Sequence, residues 1–426
     1  MATEIIYIDK QEILDFLQDA LQVVQGLSYT WENENVTHLH VKPIAHSFGS
    51  VGKVFFMKEK YQSADFQPFN GDYRVIVKCD DNNVEDINLN IERLDDGQWT
   101  RKEFTFIPSR SELFSRNKGI LEVDTLASRR VLIIGLGSFG SQIAIELAKA
   151  GVGNFTLMDF DRVELHNLAR HTCGTQDLGR LKTDAISDAI LAKNPYAEVK
   201  KFNININEHL DVLNEQVGNS DLVIVATDNN QSRFNISEAL LKAKKIGIFG
   251  RAITRAEGGD VFRYRPDGPC YNCLVGLKII QSSQEEVSSE EAGRRSGRIP
   301  AYMSPNDVNA VVQVGLSADI QPVCNMMIKL ALVELSRGTH SGIASLEDDL
   351  VYDFYIWANR RDQHYANWPA MPSAGSRPTI LRWYGVRVPK DDDCALCGTP
   401  HLFQEDEGLA LQVGDLNHID LDDIDQ

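Results

Sequence analysis

The stretch from Arg130 to Lys182 sets a glycine-rich loop, carboxylates and cations at spacings suited to a nucleotide phosphate. Gly135-Leu136-Gly137-Ser138-Phe139-Gly140 follows an apolar run, Val131 to Ile134, and precedes a helical pattern with Ile143, Leu147 and Ala150 on one face. Glycines in such a loop permit a tight turn, close approach of backbone to phosphate and close packing of helix on strand. The start of the helix offers unpaired N–H groups to an anion, so Gly135, Gly137, Ser138, Phe139 and Gly140 are candidate contacts. A second apolar run, Phe155 to Met158, ends at Asp159, 19 residues after Gly140, where a carboxylate takes the hydroxyls of a ribose. This pattern by itself suits NAD, FAD, S-adenosylmethionine or ATP. Asn167, Arg170 and Lys182 follow, and two cations beyond a ribose carboxylate serve a triphosphate better than a hydride carrier. A further run, Leu222 to Ala226, delivers Thr227-Asp228-Asn229, with Arg233 in the helix behind it. A carboxylate at the C-terminal end of a strand beside phosphates is placed to hold Mg²⁺. Asp228 is that candidate, its competing role being a helix N-cap.

A second constellation is made of cysteines. Cys270 and Cys273 form one CxxC pair and Cys394 and Cys397 another. The two-residue spacing lets both thiolates of a pair bind one ion, and two pairs complete a tetrahedron of the kind that holds Zn²⁺. Four sulfurs leave no open coordination position, so such an ion is structural. The competing reading is four free or redox-active thiols. The 120 residues between the pairs exceed the usual spacing of a zinc ribbon.

Taken together, these residues resemble the ThiF/MoeB superfamily, which includes the activating enzymes of ubiquitin-like proteins. The resemblance runs from about Glu112 to Gly398, and its elements fall in the family's order: the glycine loop, Asp159-Phe160-Asp161, Asn167 to Arg170, the block at Lys182, Asp228 with Arg233, and the two cysteine pairs. Phe114-Ser115-Arg116 is similar to a family segment whose arginine reaches an ATP phosphate. The resemblance implies adenylation. A C-terminal carboxylate of a ubiquitin-like or sulfur-carrier protein attacks the α-phosphate of Mg-ATP, and pyrophosphate leaves. By that resemblance Arg116, Asn167, Arg170 and Lys182 attend the phosphates, with Arg116 supplied across a homodimer, while Asp228 holds Mg²⁺ and Asp159 the ribose. Asp161, Asn229 and Arg233 complete the ATP site. A distant pairing of the two CxxC motifs around zinc is likewise the family's habit.

Relatives that pass the acyl group onward to a conjugating enzyme use a cysteine between the two CxxC pairs. Cys324 is the one cysteine there, and it lies on an apolar stripe with Ile320, Val323 and Met327, where a cysteine is usually an inert small hydrophobe. Ser317 lines up better with the family's nucleophile. Three outcomes stand open: the adenylate as end point, a thioester on Cys324, or an oxyester on a serine, which is a weak nucleophile without a base. Other readings are a small-carboxylate or tRNA-directed adenylating relative, a NAD-dependent oxidoreductase, and a nucleotide-binding pseudoenzyme.

The elements that must carry these residues follow from texture. The expected fold class is α/β: a Rossmann-like adenylation domain with a mostly parallel sheet and a structural zinc site over residues 113–400, preceded by a smaller α/β domain over 1–112. A polar stretch, Gln281 to Arg298, marks a crossover insertion at about 277–315. A helix from about Asp319 to Leu335, with Ile320, Val323, Met327 and Ala331 inward, closes the core, and Leu350 to Trp357 and Leu381 to Val388 read as further strands. In the first domain, Ile13 to Leu27 reads as one amphipathic helix, and Tyr73 to Lys78 and Val84 to Glu92 as alternating strands. That domain is a scaffold, a docking or dimerisation module, or a degenerate second adenylation domain; an added N-terminal domain also resembles activating enzymes of bacterial ubiquitin-like conjugation (Bil and Bub type) operons. Residues 401–426 read as an acidic, disordered tail, with eight carboxylates and no Lys or Arg from Gln404 onward. A net charge of −18 argues against a nucleic-acid partner. No apolar run reaches the length of a membrane span, and the charged N-terminus, MATEIIYIDKQEI, predicts no signal peptide. Seven cysteines dominated by CxxC pairs fit a reducing cytoplasm.

Overall fold

A computed structural model describes residues 4–43, 50–59, 70–80, 83–107, 110–280, 293–294, 299, 315–361, 366 and 379–398. The chain divides into two compact units, residues 1–118 and 119–426. Most of the expected crossover insertion and all of the expected acidic tail lie outside the described residues.

The first unit is built on β1 (Ile5–Asp9), α1 (Lys10–Gln18), β2 (Val23–Trp31), β3 (Val36–His40), β4 (Ser50–Lys58), β5 (Tyr73–Asp80), β6 (Asn83–Asp95), β7 (Gln98–Lys102) and β8 (Phe104–Ile107), ending in a short helix α2 (Arg110–Leu113). The strands make one mixed sheet in the order β7-β6-β5-β4-β2-β3-β1-β8. Helix α1 starts where the Asp9 carboxylate accepts the N–H groups of Gln11 and Glu12, and it buries Ile13 and Phe16 against Ile8, Val54 and Phe56. The single helix expected over 13–27 is therefore corrected. It stops at Gln18 because Asp19 turns extended and accepts the Leu21 N–H, and the β-branched pair Val23-Val24 opens a strand that pairs with β3 and β4. The strands expected over 73–78 and 84–92 are present as β5 and β6.

The second unit contains α3 (Val123–Ser128), β9 (Arg130–Ile134), α4 (Ser138–Ala150), β10 (Asn154–Met158), α5 (Lys182–Lys193), β11 (Glu198–Phe202), α6 (Leu210–Gly218), β12 (Leu222–Val225), α7 (Asn230–Ala243), β13 (Ile246–Ala252), β14 (Gly258–Tyr264), α8 (Tyr271–Gly276), α9 (Ser317–Leu335), β15 (Phe354–Ala358) and β16 (Arg382–Val386). The sheet runs β11-β10-β9-β12-β13-β14-β15-β16. Its first five strands are parallel and its last three are added antiparallel. Both faces are covered, as a parallel sheet requires. Val131, Ile133, Leu222 and Ile224 face a layer containing Ile143 and Leu147 of α4 and Met327 and Ala331 of α9. Leu132, Ile134, Val223 and Val225 face Leu213 of α6 and Ile236 and Leu240 of α7. The period of two along β9 and β12 thus assigns alternate side chains to opposite layers. Helix α9 buries Ile320, Val323, Met327 and Ala331 as its spacing predicts.

Chain order positions the site. From β9 the chain moves outward to β10 and β11, then returns to lay β12 on the other side of β9. Ligands of open α/β sheets bind outside the carboxyl ends of the strands at such a reversal. The carboxyl end of β9 runs into Gly135, that of β10 into Asp159, and that of β12 into Thr227 and Asp228. Among the described residues no helix is long and apolar enough to cross a membrane.

Candidate nucleotide site and metal centre

The glycine loop is enforced by sterics at two positions. Gly135 has φ +86°, and a Cβ there would stand 2.6 Å from the Ala226 carbonyl oxygen. A Cβ on Gly140 would stand 1.8 Å from the Gly135 carbonyl oxygen, so this position is what lets α4 start directly against the loop. On Gly137, the N-cap of α4, a Cβ would meet nothing within 4 Å. The loop is therefore closed toward the sheet and open at the head of a thirteen-residue helix, where the helix dipole favours an anion.

Carboxylates and cations gather at the same strand ends. Asp159 accepts the Leu136 N–H at 2.6 Å through one oxygen and the Asp161 N–H at 2.8 Å through the other. A carboxylate has lone pairs beyond these two for ribose hydroxyls. Burial pushes the Asp159 carboxyl above its ordinary range, and Lys182 pulls it back. Lys182 itself is 7% exposed, with Nζ 2.8 Å from Asp161 Oδ2. Burial works against its charge, but Asp159, Asp161 and Asp228 outweigh that and hold it above an ordinary lysine. Lys182 is thus a charged ammonium within the field of Asp159, Asp161 and, more weakly, Asp228.

The other candidate residues take the following places. Asp228 is exposed, and the N-cap role that competed for it belongs to its neighbour: Asn229 Oδ1 accepts the Ser232 N–H at 2.8 Å. Arg233 is buried and donates to the Thr227 carbonyl at 2.6 Å and to Asn230 Oδ1 at 3.2 Å, bracing the loop that carries Asp228. Asn167 accepts the Glu164 N–H at 3.0 Å in a reciprocal cap of the turn Leu165–Asn167. Arg170 is 8% exposed, and its carbonyl accepts Gln142 Nε2 of α4 at 3.2 Å. Ser138 opens α4 and Phe139 packs against the core beneath it. Arg116 lies exposed on a 3-10 turn, Ser115–Asn117, of the first unit. Cys324 is fully buried, and burial pushes its thiol up to about 12. Ser317 is the first residue of α9 and is half-buried.

Two side chains at this site escape a reading by motif. Thr227 Oγ1 is buried with no hydrogen-bond partner among the described residues, just past the carboxyl end of β12. A polar ligand in the cleft would satisfy it, which fits a nucleotide there. His171 bonds the Leu136 carbonyl through Nε2 at 2.6 Å, 35 residues back in the chain, a separation that no local pattern announces.

The four paired cysteines converge. Their sulfurs lie within 4.8 Å of one another, with Cys270 to Cys273 at 3.8 Å, Cys270 to Cys394 at 3.6 Å and Cys273 to Cys397 at 3.3 Å. Tetrahedral zinc with bonds of about 2.3 Å sets its sulfurs roughly 3.8 Å apart, so the cluster fits a closed ZnS₄ site. It is embedded among Phe249, Phe262 and Tyr271 on the α7 side of the sheet.

Comparison with known proteins places these features in a family. The model of the ThiF family matches residues 110–342. A molybdopterin-synthase adenylyltransferase from Salmonella typhimurium is 35% identical over 155 residues, 36% of this chain and 61% of that protein. The adenylyltransferase and sulfurtransferase MOCS3 of Drosophila willistoni is 32% identical over 164 residues, 38% of this chain and 35% of that protein. The chain therefore spans less than two thirds of either relative. Among solved structures, E. coli MccB with ATP superposes with a TM-score of 0.45 at 17% identity, covering 65% of this chain and 68% of that one.

Proposed function

The chain belongs to the ThiF family, and from that membership we propose that it is an ATP-dependent adenylyltransferase acting on the C-terminal carboxylate of a sulfur-carrier or ubiquitin-like protein. The observation that carries the reading is the convergence of the glycine loop, Asp159, Lys182 and Asp228 at the carboxyl ends of three neighbouring strands. The open side of Gly137 and the head of α4 receive phosphate oxygens, and Asp159 takes the ribose. Arg170 and Lys182 face the α- and β-phosphates, and Arg116 of a second copy completes their neutralisation. The carrier carboxylate needs no base; alignment and charge neutralisation at phosphorus suffice. It attacks the α-phosphorus, the bond to the bridging oxygen breaks, and pyrophosphate departs with that electron pair, leaving an acyl adenylate. Mg²⁺, held by Asp228, would neutralise charge on the phosphates. Zinc in the four-cysteine site is structural.

The reading is tested by calorimetry with Mg-ATP and with NAD. Binding of Mg-ATP and not of NAD is expected; the reverse would make the glycine loop that of a dehydrogenase. The burial and raised pKa of Cys324 favour the adenylate as end point. Incubation with carrier and ATP should then leave the enzyme's intact mass unchanged, and a base-labile adduct lost in Ser317→Ala or Cys324→Ala would reinstate acyl transfer to an enzyme nucleophile, the step that precedes passage to a conjugating partner.

A further inference from the structure

We infer that His171 is a positioning residue that sets the Gly137 N–H toward the nucleotide. The inference rests on the adenylation site proposed above and deepens it.

A carbonyl only accepts, so His171 Nε2 must carry the proton it donates to the Leu136 oxygen at 2.6 Å. The Cys173 N–H points at Nδ1 at 3.1 Å, so Nδ1 must present its lone pair. Both nitrogens are thereby assigned, and the imidazole is neutral. The groups facing it are Lys182 and Arg170, which oppose a second proton, and Asp177, which favours one. Burial weighs most and pushes the ring down to about 4.

What the bond does follows from peptide geometry. The Leu136 carbonyl and the Gly137 N–H belong to one planar trans peptide and point in opposite directions. Holding that oxygen on the His171 side turns the Gly137 N–H away from it. The Leu136 residue is pinned at its other end as well, its own N–H given to Asp159 at 2.6 Å. Glycine at 137 has little intrinsic preference to keep this orientation, so external bonds must supply it. The same segment is drawn to α4 by Gln142 on the Arg170 carbonyl, and the Arg170 and His171 N–H groups both close on the Asn167 carbonyl at 3.0 Å. His171 therefore couples the loop that cradles phosphate to the segment that presents Arg170.

The test uses the full chain with Mg-ATP as probe. His171→Leu removes both hydrogen bonds, whereas His171→Gln offers an amide N–H and a carbonyl that can replace them. Mg-ATP affinity should fall about tenfold in His171→Leu and stay within about threefold of wild type in His171→Gln. Unliganded His171→Leu should exchange the Gly137 to Gly140 amide hydrogens faster than wild type does. Because the folded-state pKa lies near 4, the ratio of wild-type to His171→Gln affinity should stay flat from neutral pH down to about pH 5; a drop near an ordinary histidine value would overturn the tautomer assignment. Wild-type affinity in a folded His171→Leu would overturn the inference. If that variant does not fold, loss of affinity in a folded His171→Gln overturns it equally. Absence of Mg-ATP binding by wild type would instead sink the adenylation reading, and the exchange experiment would still decide whether His171 holds the loop.

Discussion

Asp228→Ala should lower carrier-dependent ATP–pyrophosphate exchange by about 10²–10³-fold, the cost of losing one pre-set charge contact beside the reacting phosphates. The side chain is exposed and caps no helix, since Asn229 fills that position, so its removal leaves no cavity and no orphaned helix end. Lys182 keeps Asp161 at 2.8 Å, and the Arg233 brace on Thr227 stays. Melting temperature and bound metal should therefore match wild type while exchange collapses. The contrast with Lys182→Met is informative. That change leaves Asp159 and Asp161 without their buried partner, so it should lose activity and stability together. Retained exchange in Asp228→Ala would remove Asp228 from the metal role.

Cys273→Ser should release the metal and lower the melting temperature by roughly 10 °C, corresponding to several kcal/mol in a unit of this size. Zinc bound by a short peptide accounts for the whole of its folding free energy. Here α8 and the sheet bury Phe249, Phe262 and Leu274 beside the cluster, so packing survives in part. The effect should be largest on the segment from Asp391 to Gly398, which the cluster holds against α8. Metal content by mass spectrometry and a thermal melt check both halves of the claim. A metal-free variant as stable as wild type would show that the four sulfurs are merely neighbours.

The parts of the fold that could be read in advance are those written in local periods. β9 and β12 announce themselves as apolar runs, α9 as a stripe through Ile320, Val323, Met327 and Ala331, and the glycine loop by its spacing to Asp159. The error at residues 13–27 has the same root. Ile13, Phe16 and Leu17 belong to a helix, and Leu21, Val23 and Leu27 extend its period by chance; what ends it is the Asp19 turn and the demand of β3 and β4 for a partner between them. Interactions that join distant segments left no such trace. Arg263 is fully buried on bonds to Glu334 and Asp353, 71 and 90 residues away. His171 on Leu136 is of the same kind. Such pairs are visible only after the strands have set which segments are neighbours.

A metal held by the cysteine cluster would also order the making of the protein. Two of its sulfurs lie 124 residues downstream of the two they face. During synthesis, β9 to β13 and the first CxxC pair emerge long before Cys394 does. The nucleotide half can fold around its glycine loop while the first pair waits, and four-sulfur binding begins only once Cys397 has left the ribosome. An ion bound there would act as a check on completion: a chain broken off before that residue would lack the clasp, and its last strands would be left open to proteases.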